Sequence, residues 1–184
     1  MQHRTWRWTA LTALLAVLAQ AGWVANAADS ADGYNGSLFK RQVLVVSSMD
    51  RALTLYRDVL GFAPDSGVNV SEATSYTYDV MDLPREARLR SAALNAGKRQ
   101  IRTLLLVEVA EVPVPRLTGV RRTVTVVNAN GRFKTIIAAV EKLGLPRKPP
   151  HVLDSVDPKD GRGVEQAFED WDGNVVLLYE FPGR

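Results

Sequence analysis

The chain contains no cysteine and only two histidines among its 184 residues. The absence of cysteine excludes disulfide bonds, thiol nucleophiles and cysteine-ligated metal centres. The histidines, His3 and His151, lie far apart and form no metal-binding motif. The sequence also has no glycine-rich phosphate loop, nucleophile elbow or HExxH motif, which excludes the enzyme classes that these motifs define.

The first 27 residues are typical of a secretory signal peptide. Two arginines give a positive start, residues 9–18 form an apolar core, and residues 25–27 (Ala-Asn-Ala) fit the small-x-small cleavage pattern. A membrane anchor is the alternative, but an interrupted apolar stretch of about 17 residues is marginal for crossing a bilayer. We therefore expect a periplasmic or secreted protein with a flexible leader over residues 28–38 and no stable membrane insertion after cleavage.

Cleavage leaves one domain of ordinary size and little net charge. Residues 28–184 are long enough for a single core. Arg4 and Arg7 leave with the signal peptide, which has no acidic residue, so the formal net charge falls from +3 to +1. A domain with so little net charge and no basic footprint is not expected to bind nucleic acid.

A strand–turn–helix pattern opens the domain, which we place at residues 39–184. The β-branched run Gln42–Val46 predicts a buried strand. Asp50 is the expected helix N-cap, and Gly61 is the expected C-terminal stop. Between them the apolar residues recur at helical spacing, at Leu53, Tyr56 and Leu60.

The same pattern recurs in the second half of the chain. Val124–Val127 predicts a strand, and the following helix ends at Gly144, 83 residues after Gly61. Its apolar face comprises Phe133, Ile136, Ile137, Val140 and Leu143. A repeat at this period indicates an internal duplication.

Shorter strands follow each predicted helix. They are expected at residues 75–78, 89–94 and 103–109 in the first half, and at residues 152–156, 165–169 and 175–181 in the second. Asp172-Gly173 predicts the hairpin between the last two, and the proline-containing segment Val112–Pro115 predicts a stiff linker. The predicted fold class is therefore α+β, with two tandem βαβββ modules at about residues 39–112 and 119–182.

These motifs resemble the vicinal oxygen chelate superfamily, which includes glyoxalase I, the bleomycin-resistance proteins and the extradiol dioxygenases. The resemblance rests on residues 46–53 (Val-Ser-Ser-Met-Asp-Arg-Ala-Leu), residues 56–62 (Tyr-Arg-Asp-Val-Leu-Gly-Phe) and residues 170–174 (Asp-Trp-Asp-Gly-Asn). It implies two curved mixed sheets around a cleft, a homodimer, and a metal bound in the cleft by His or Glu from the first and last strands of each module.

The implied metal positions do not carry metal ligands in this chain. They fall on Arg41, Arg122 and Leu177, with the fourth near Glu108. Arginine stays protonated and cannot coordinate a metal, and divalent ions need several N or O ligands. We therefore expect neither a metal nor another cofactor.

Arg41 and Arg122 are the sharpest candidate pair, because they occupy equivalent positions 81 residues apart. They would form a clamp for a carboxylate or phosphate, or would be solvated or paired with Glu108. Glu108 itself is open to four interpretations, as a relic metal ligand, as a general base, as an arginine partner or as a solvated carboxylate. His151, in a proline-rich loop, is expected to be solvated rather than to act as an acid or base.

Aromatic and basic residues leave further alternatives. Two interpretations fit the aromatic residues Tyr76, Tyr78, Tyr179 and Trp171. They line a cleft for a flat ligand, or they pack between strands. The basic cluster Lys98–Arg102 is expected to be a solvated turn.

We expect an exported protein that binds a small anionic or aromatic molecule in the inter-module cleft without catalysis, as the bleomycin-resistance branch does. The expected ligand-binding residues are Arg41, Arg122, Glu108, Leu177 and Tyr179. The alternative is a glyoxalase-like lyase or isomerase, or a dioxygenase relative, with an atypical metal site or with Glu108 as a metal-free base. A module that serves only for interaction is a third possibility.

Overall fold

The computed structural model describes residues 39–154, 159 and 161–182. The chain divides into Met1–Phe39 and Lys40–Arg184, and every helix and strand given below belongs to the second unit. The predicted signal peptide and leader lie outside the described residues. No helix in the described part is long and apolar enough to cross a membrane.

The first module contains one mixed sheet and two helical segments. The strand β1 is Gln42–Val46, as the sequence predicts. Helix α1 (Met49–Leu53) continues as a π-helix over Thr54–Val59. The remaining elements are β2 (Ala63–Pro64), β3 (Asn69–Val70), α2 (Thr77–Val80), β4 (Arg88–Asn95) and β5 (Leu104–Ala110).

The second module has the order β-α-β-β-β. Its elements are β6 (Thr125–Asn128), α3 (Phe133–Lys142), β7 (His151–Asp154), β8 (Arg162–Glu169) and β9 (Val175–Glu180). The last two residues of the predicted strand at residues 152–156 lie outside the described residues. The turn at Asp172-Gly173 joins β8 to β9, and Gly173 has a φ of +84°.

Strand order confirms the predicted pair of βαβββ modules. In the first sheet the order is β1-β5-β4, with β2 and β3 both pairing with β4; in the second it is β6-β9-β8-β7. In both sheets the first strand of the module runs parallel to its last strand and lies at the sheet edge. The other pairs in both sheets are antiparallel.

A glutamate from the last strand of each module caps the helix of that module. Glu108 on β5 accepts the backbone N–H of Met49 at 3.0 Å, and Glu180 on β9 accepts that of Phe133 at 3.2 Å. The first N–H groups of a helix have no partner within the helix. The two carboxylates meet this need in equivalent places, which supports the duplication.

One hydrophobic core joins both modules. It contains residues from β1, the first helix and β5 together with residues from α3, β8 and β9, including Tyr56, Leu106, Ile136, Phe168 and Leu178, which are at most 1% exposed. A smaller cluster covers the other face of the first sheet, where Tyr78 and Ala87 pack against Leu89, Val107 and Val109. Side chains alternate between the two faces along β5, so its even-numbered residues face the main core and its odd-numbered residues face the smaller cluster.

Two local predictions are wrong. Residues 75–78, predicted as a strand, include the start of helix α2, because Tyr78 turns inward and its hydroxyl donates to the carbonyl of Ala87 at 2.8 Å. The N-cap of the first helix is Ser48 and not Asp50. Ser48 has extended backbone angles, and its hydroxyl accepts the N–H of Arg51 at 3.4 Å.

The closing hairpin is attached to the first module by a buried polar network, which we call the hairpin clasp (Tyr56, Asp170 and Asn174). The Tyr56 hydroxyl donates to Asp170 Oδ2 at 3.0 Å. Asn174 Nδ2 donates to Asp170 Oδ2 at 2.9 Å and to the carbonyl of Val45 at 3.1 Å. The conspicuous Asp-Trp-Asp-Gly-Asn motif therefore joins the modules.

Candidate functional site

A cavity of about 260 Å³ lies where the two edge strands of the sheets begin. We call it the inter-module pocket. Its walls are Gln42 and Leu44 of β1, Thr125 of β6, Val175 of β9 and linker residues between Leu117 and Thr123. Residues of both modules therefore contribute to it.

The linker is held over this pocket by contacts with the closing hairpin. The N–H of Leu117 donates to the carbonyl of Asp172 at 2.9 Å. The backbone of Leu117 passes so close to Gly173 that a Cβ there would lie 2.5 Å from the Leu117 carbonyl oxygen. Glycine at position 173 therefore permits both the turn and this close approach.

Two linker arginines share one carboxylate beside the pocket. Glu169 accepts Arg121 Nη2 at 2.7 Å through Oε1 and Arg116 Nη2 at 2.6 Å through Oε2. Hydrogen bonding to Arg121 is the main cause that lowers the pKa of Glu169. With one carboxylate against two guanidinium groups, this cluster retains positive charge.

Arg121 and Thr125 each bury a polar atom without a partner in the described part of the chain. The atoms are Arg121 Nη1 and Thr125 Oγ1, and both residues line the inter-module pocket. A buried donor without an acceptor destabilises a protein by roughly 1–3 kcal/mol, and by more when it is charged. Both groups therefore have hydrogen-bonding capacity that the described part of the chain does not use.

The structure places the predicted arginines differently with respect to this pocket. Arg122 lines it, and its side chain is exposed. Arg41 directly precedes Gln42, a lining residue, and is half-buried. A clamp of Arg41 and Arg122 stays a prediction, whereas Arg121 and Arg122 both line the pocket.

Glu108 lies away from the pocket and is bound on both oxygens. Arg90 Nη2 donates to its Oε1 at 2.8 Å, and Arg90 Nε donates to its Oε2. Oε1 also accepts the Met49 N–H. The hydrogen bond from Arg90 is the main cause that lowers the pKa of Glu108. Of the four interpretations, the arginine partner describes these contacts, although the partner is Arg90 and not Arg41 or Arg122. The role of a general base has no contact in its favour.

Leu177 and Tyr179 lie on the face of β9 that points away from the main core. Their neighbours Val176 and Leu178 are fully buried in that core. Because side chains alternate along a strand, Leu177 and Tyr179 point to the other face of the sheet. Tyr179 packs edge-on against Phe181, with ring centroids 6.4 Å apart. It lines a separate cavity of about 500 Å³. Neither residue lines the inter-module pocket, and their binding roles stay predictions.

The other aromatic candidates do not meet in one cleft. Tyr78 is buried in the smaller core cluster, whereas Tyr76 is 76% exposed. Trp171 stacks under the Arg51 guanidinium at 5.7 Å. His151 is exposed, and its Nδ1 lies 3.1 Å from Glu165 Oε1.

Solved structures with the same architecture establish the fold. A glyoxalase family protein from Bacillus cereus aligns with a TM-score of 0.59 at 12% identity, over 80% of this chain and 97% of that one. A glyoxylase/bleomycin resistance protein/dioxygenase domain from Frankia sp. EAN1pec gives 0.52 at 14%, over 81% and 96%. The trypanothione-dependent glyoxalase I of Leishmania major gives 0.51 at 14%, over 79% and 87%.

This chain has the vicinal oxygen chelate fold. The predicted fold class is thereby confirmed, and at these identities the similarity is one of fold. No family model matches the sequence, and no curated protein sequence matches it.

The metal that the vicinal oxygen chelate fold implies does not fit the residues present. Three of the four implied positions, Arg41, Arg122 and Leu177, have no metal-donor atom in the side chain. The fourth, Glu108, has both oxygens bound by Arg90 and the Met49 N–H. The described residues hold no group of three or more His, Cys, Asp or Glu side chains placed to bind an ion.

Sequence reasoning missed Arg121 and Thr125. Matching strand starts between the modules selects Arg122, although β6 begins only at Thr125. The adjacent pair Arg121-Arg122 is a signal that would have drawn attention to both arginines. The unpaired atoms of Arg121 and Thr125 have no signature in sequence, because they depend on how the linker packs.

Proposed function

We propose that this protein is an exported binding protein of the vicinal oxygen chelate fold that takes a small anionic molecule into the inter-module pocket. One observation carries the proposal. Arg121, fixed through Nη2 on Glu169, has a second guanidinium nitrogen that is buried and has no acceptor among the residues that the structure describes. A carboxylate or phosphate oxygen is the group that such a nitrogen binds best.

The pocket favours an anion over the aromatic ligand that the sequence left open. The described lining residues include two arginines, three threonines and a glutamine, and none of them is aromatic. Arginine offers planar, paired donors that match carboxylate and phosphate oxygens. The low polarity of Leu44 and Val175 beside these donors strengthens the electrostatic attraction.

Titration calorimetry on residues 28–184 with acetate, benzoate and inorganic phosphate tests this proposal. Arg121→Ala is expected to weaken binding of the best of these anions about tenfold or more, because hydrogen bonds to charged groups contribute about 1.5–3 kcal/mol and 1.4 kcal/mol is tenfold. Arg57→Ala is the matched control, since Arg57 is exposed, pairs with Asp58 and lies outside the pocket.

Further variants locate the anion within the pocket. Arg121→Lys keeps the charge and loses the paired donors, so it is expected to fall between the wild type and Arg121→Ala. Arg41→Ala tests the predicted clamp in the same assay. Equal affinity of the wild type and Arg121→Ala for every anion, or no binding by the wild type, would exclude the inter-module pocket as an anion site.

Export rests on the sequence of residues 1–27, with its positive start, apolar core and small residues at the cleavage position. Expression of the full chain in a bacterium followed by N-terminal sequencing of the periplasmic fraction tests it. The expected mature chain begins at Ala28. Recovery of only the uncleaved chain in the membrane fraction would contradict export. The predicted homodimer stays a prediction.

A further inference from the structure

A second cavity, of about 330 Å³, adjoins the inter-module pocket. We call it the second pocket. The two share Arg121 and Val175 among their lining residues. Glu169, to which Arg121 donates, also lines the second pocket. Arg121 therefore lies between the two cavities.

The second pocket combines apolar walls with cationic groups. Pro146 and Ala167 provide apolar surface, while Arg147 and Lys148 add positive charge to that of Arg121. Glu169 is the one acidic residue among the described lining residues, and it is already bound by Arg121 and Arg116.

Lys148 is the cation in this pocket that is available to a ligand. Its ammonium has no hydrogen bond or ion pair in the described part of the chain, whereas Arg147 pairs with Glu141 at 2.8 Å. The main chain of Lys148 is fixed, because its N–H donates to Ala167 at 2.8 Å and its carbonyl accepts Gln166 Nε2 at 2.7 Å. The side chain therefore projects from a rigid strand-like support.

The linker fixes the two pockets relative to each other. Arg116 and Arg121 bind the two oxygens of Glu169, which closes the segment between them into a short loop. Leu117, Thr118 and Val120 of this loop line the inter-module pocket, and Gly119 lines the second pocket. One loop thus forms a wall of both cavities, and their spacing is set by the same carboxylate.

We propose that the two pockets bind one ligand that carries two acidic groups separated by a short hydrocarbon spacer. One acidic group lies against Arg121, Arg122 and Thr125, the spacer follows Val175, and the second acidic group meets Lys148 and Arg147. This inference rests on the proposed function, because it assigns the first acidic group to the inter-module pocket. It adds the chemical class of ligand, a dianion, and a second anion-binding site.

Calorimetry with two homologous series tests the inference on residues 28–184 at constant ionic strength. The diacids are succinate, glutarate, adipate and pimelate, and the monoacids are the straight-chain acids of the same carbon numbers. At the best length the diacid is expected to bind about tenfold tighter than its monoacid, since a charge-assisted contact has that effect. In Lys148→Ala/Arg147→Ala this ratio is expected to fall to about one.

Lys142→Ala is the control for charge alone, because Lys142 is exposed at the end of α3 and lies outside both pockets. It is expected to keep the tenfold ratio. If monoacids bind through Arg121 but no diacid binds tighter than its monoacid, the dianion inference is wrong and the proposed function stands. Monoacids that gain affinity with length as fast as the diacids would show an apolar tail and also overturn it. If no acid and no phosphate binds, both proposals fail.

Discussion

Glu108 acts as a counter-ion and a helix cap at the position where the fold family has a metal ligand. Glu108 accepts both Arg90 and the first N–H of helix α1. Its side chain is only 8% exposed, whereas that of Arg90 is 36% exposed. A carboxylate that is desolvated and paired in this way stabilises the folded state only while it is ionised.

The stability of the protein is therefore expected to fall in acid through Glu108. Its pKa lies below the ordinary value of about 4.5 when folded, so below that pH the unfolded chain takes up a proton more readily than the folded chain. The contribution of Glu108 is complete above about pH 4.5 and is lost as the pH falls through the lower, folded pKa. Glu108→Gln is expected to reduce the free energy of unfolding at pH 7, and the difference from wild type is expected to narrow below pH 4.5.

Urea denaturation at several values between pH 3 and pH 7 measures this effect. An Arg90→Gln background is the control, because it removes the main cause of the lowered pKa. There the pH-dependent part of the Glu108→Gln effect is expected to shrink. Parallel curves for the wild type and Glu108→Gln over the whole range would contradict the assignment.

Strands and helices followed from the sequence where a local pattern decides them. The run Gln42–Val46 is β-branched and forms β1 without change. Gly61 and Gly144 end their helices with φ values of +83° and +68°, which glycine adopts most readily. The alternating tyrosines near residue 76 predicted a strand, but burial of Tyr78 in a tertiary cluster outweighs that preference.

Elements that depend on distant contacts did not follow from the sequence. Glu108 caps a helix that begins 59 residues earlier, and no local pattern records that distance. The candidate site was found only in part, since Arg122 was predicted and Arg121 was not. Arg121 and Arg122 are neighbours in the linker, so the path of the linker decides which of them is buried beside the pocket. That path depends on contacts with Glu169 and Gly173, which are about 50 residues further along the chain.

The two modules are expected to be coupled energetically through the hairpin clasp. Burial raises the pKa of Asp170, and burial also raises the pKa of Tyr56 well above its ordinary value. The Tyr56 hydroxyl thus remains a donor, and its loss in Tyr56→Phe is expected to reduce the free energy of unfolding by about 1–3 kcal/mol. In the double variant Tyr56→Phe/Asn174→Ala, the loss of unfolding free energy is expected to differ from the sum of the two single losses by about 0.5 kcal/mol or more.

Tyr78→Phe provides the matched control for this cycle. Tyr78 is equally buried, but its hydroxyl donates within the first module, to Ala87. Combined with Asn174→Ala, its effect on chemical denaturation is expected to be additive. If Tyr56→Phe and Tyr78→Phe were each additive with Asn174→Ala, the clasp would not couple the modules.

The clasp also sets an order of events during folding. Its hydrogen bonds join residues 114 and 129 positions apart, and they reach from the last hairpin back to the first helix and β1. Contacts so distant in sequence form late, because a long loop must close first. A chain that has been synthesised only as far as residue 169 has Tyr56 and the Val45 carbonyl without their partners in the clasp. The native contacts between the modules are therefore expected to be complete only after the closing hairpin has been made.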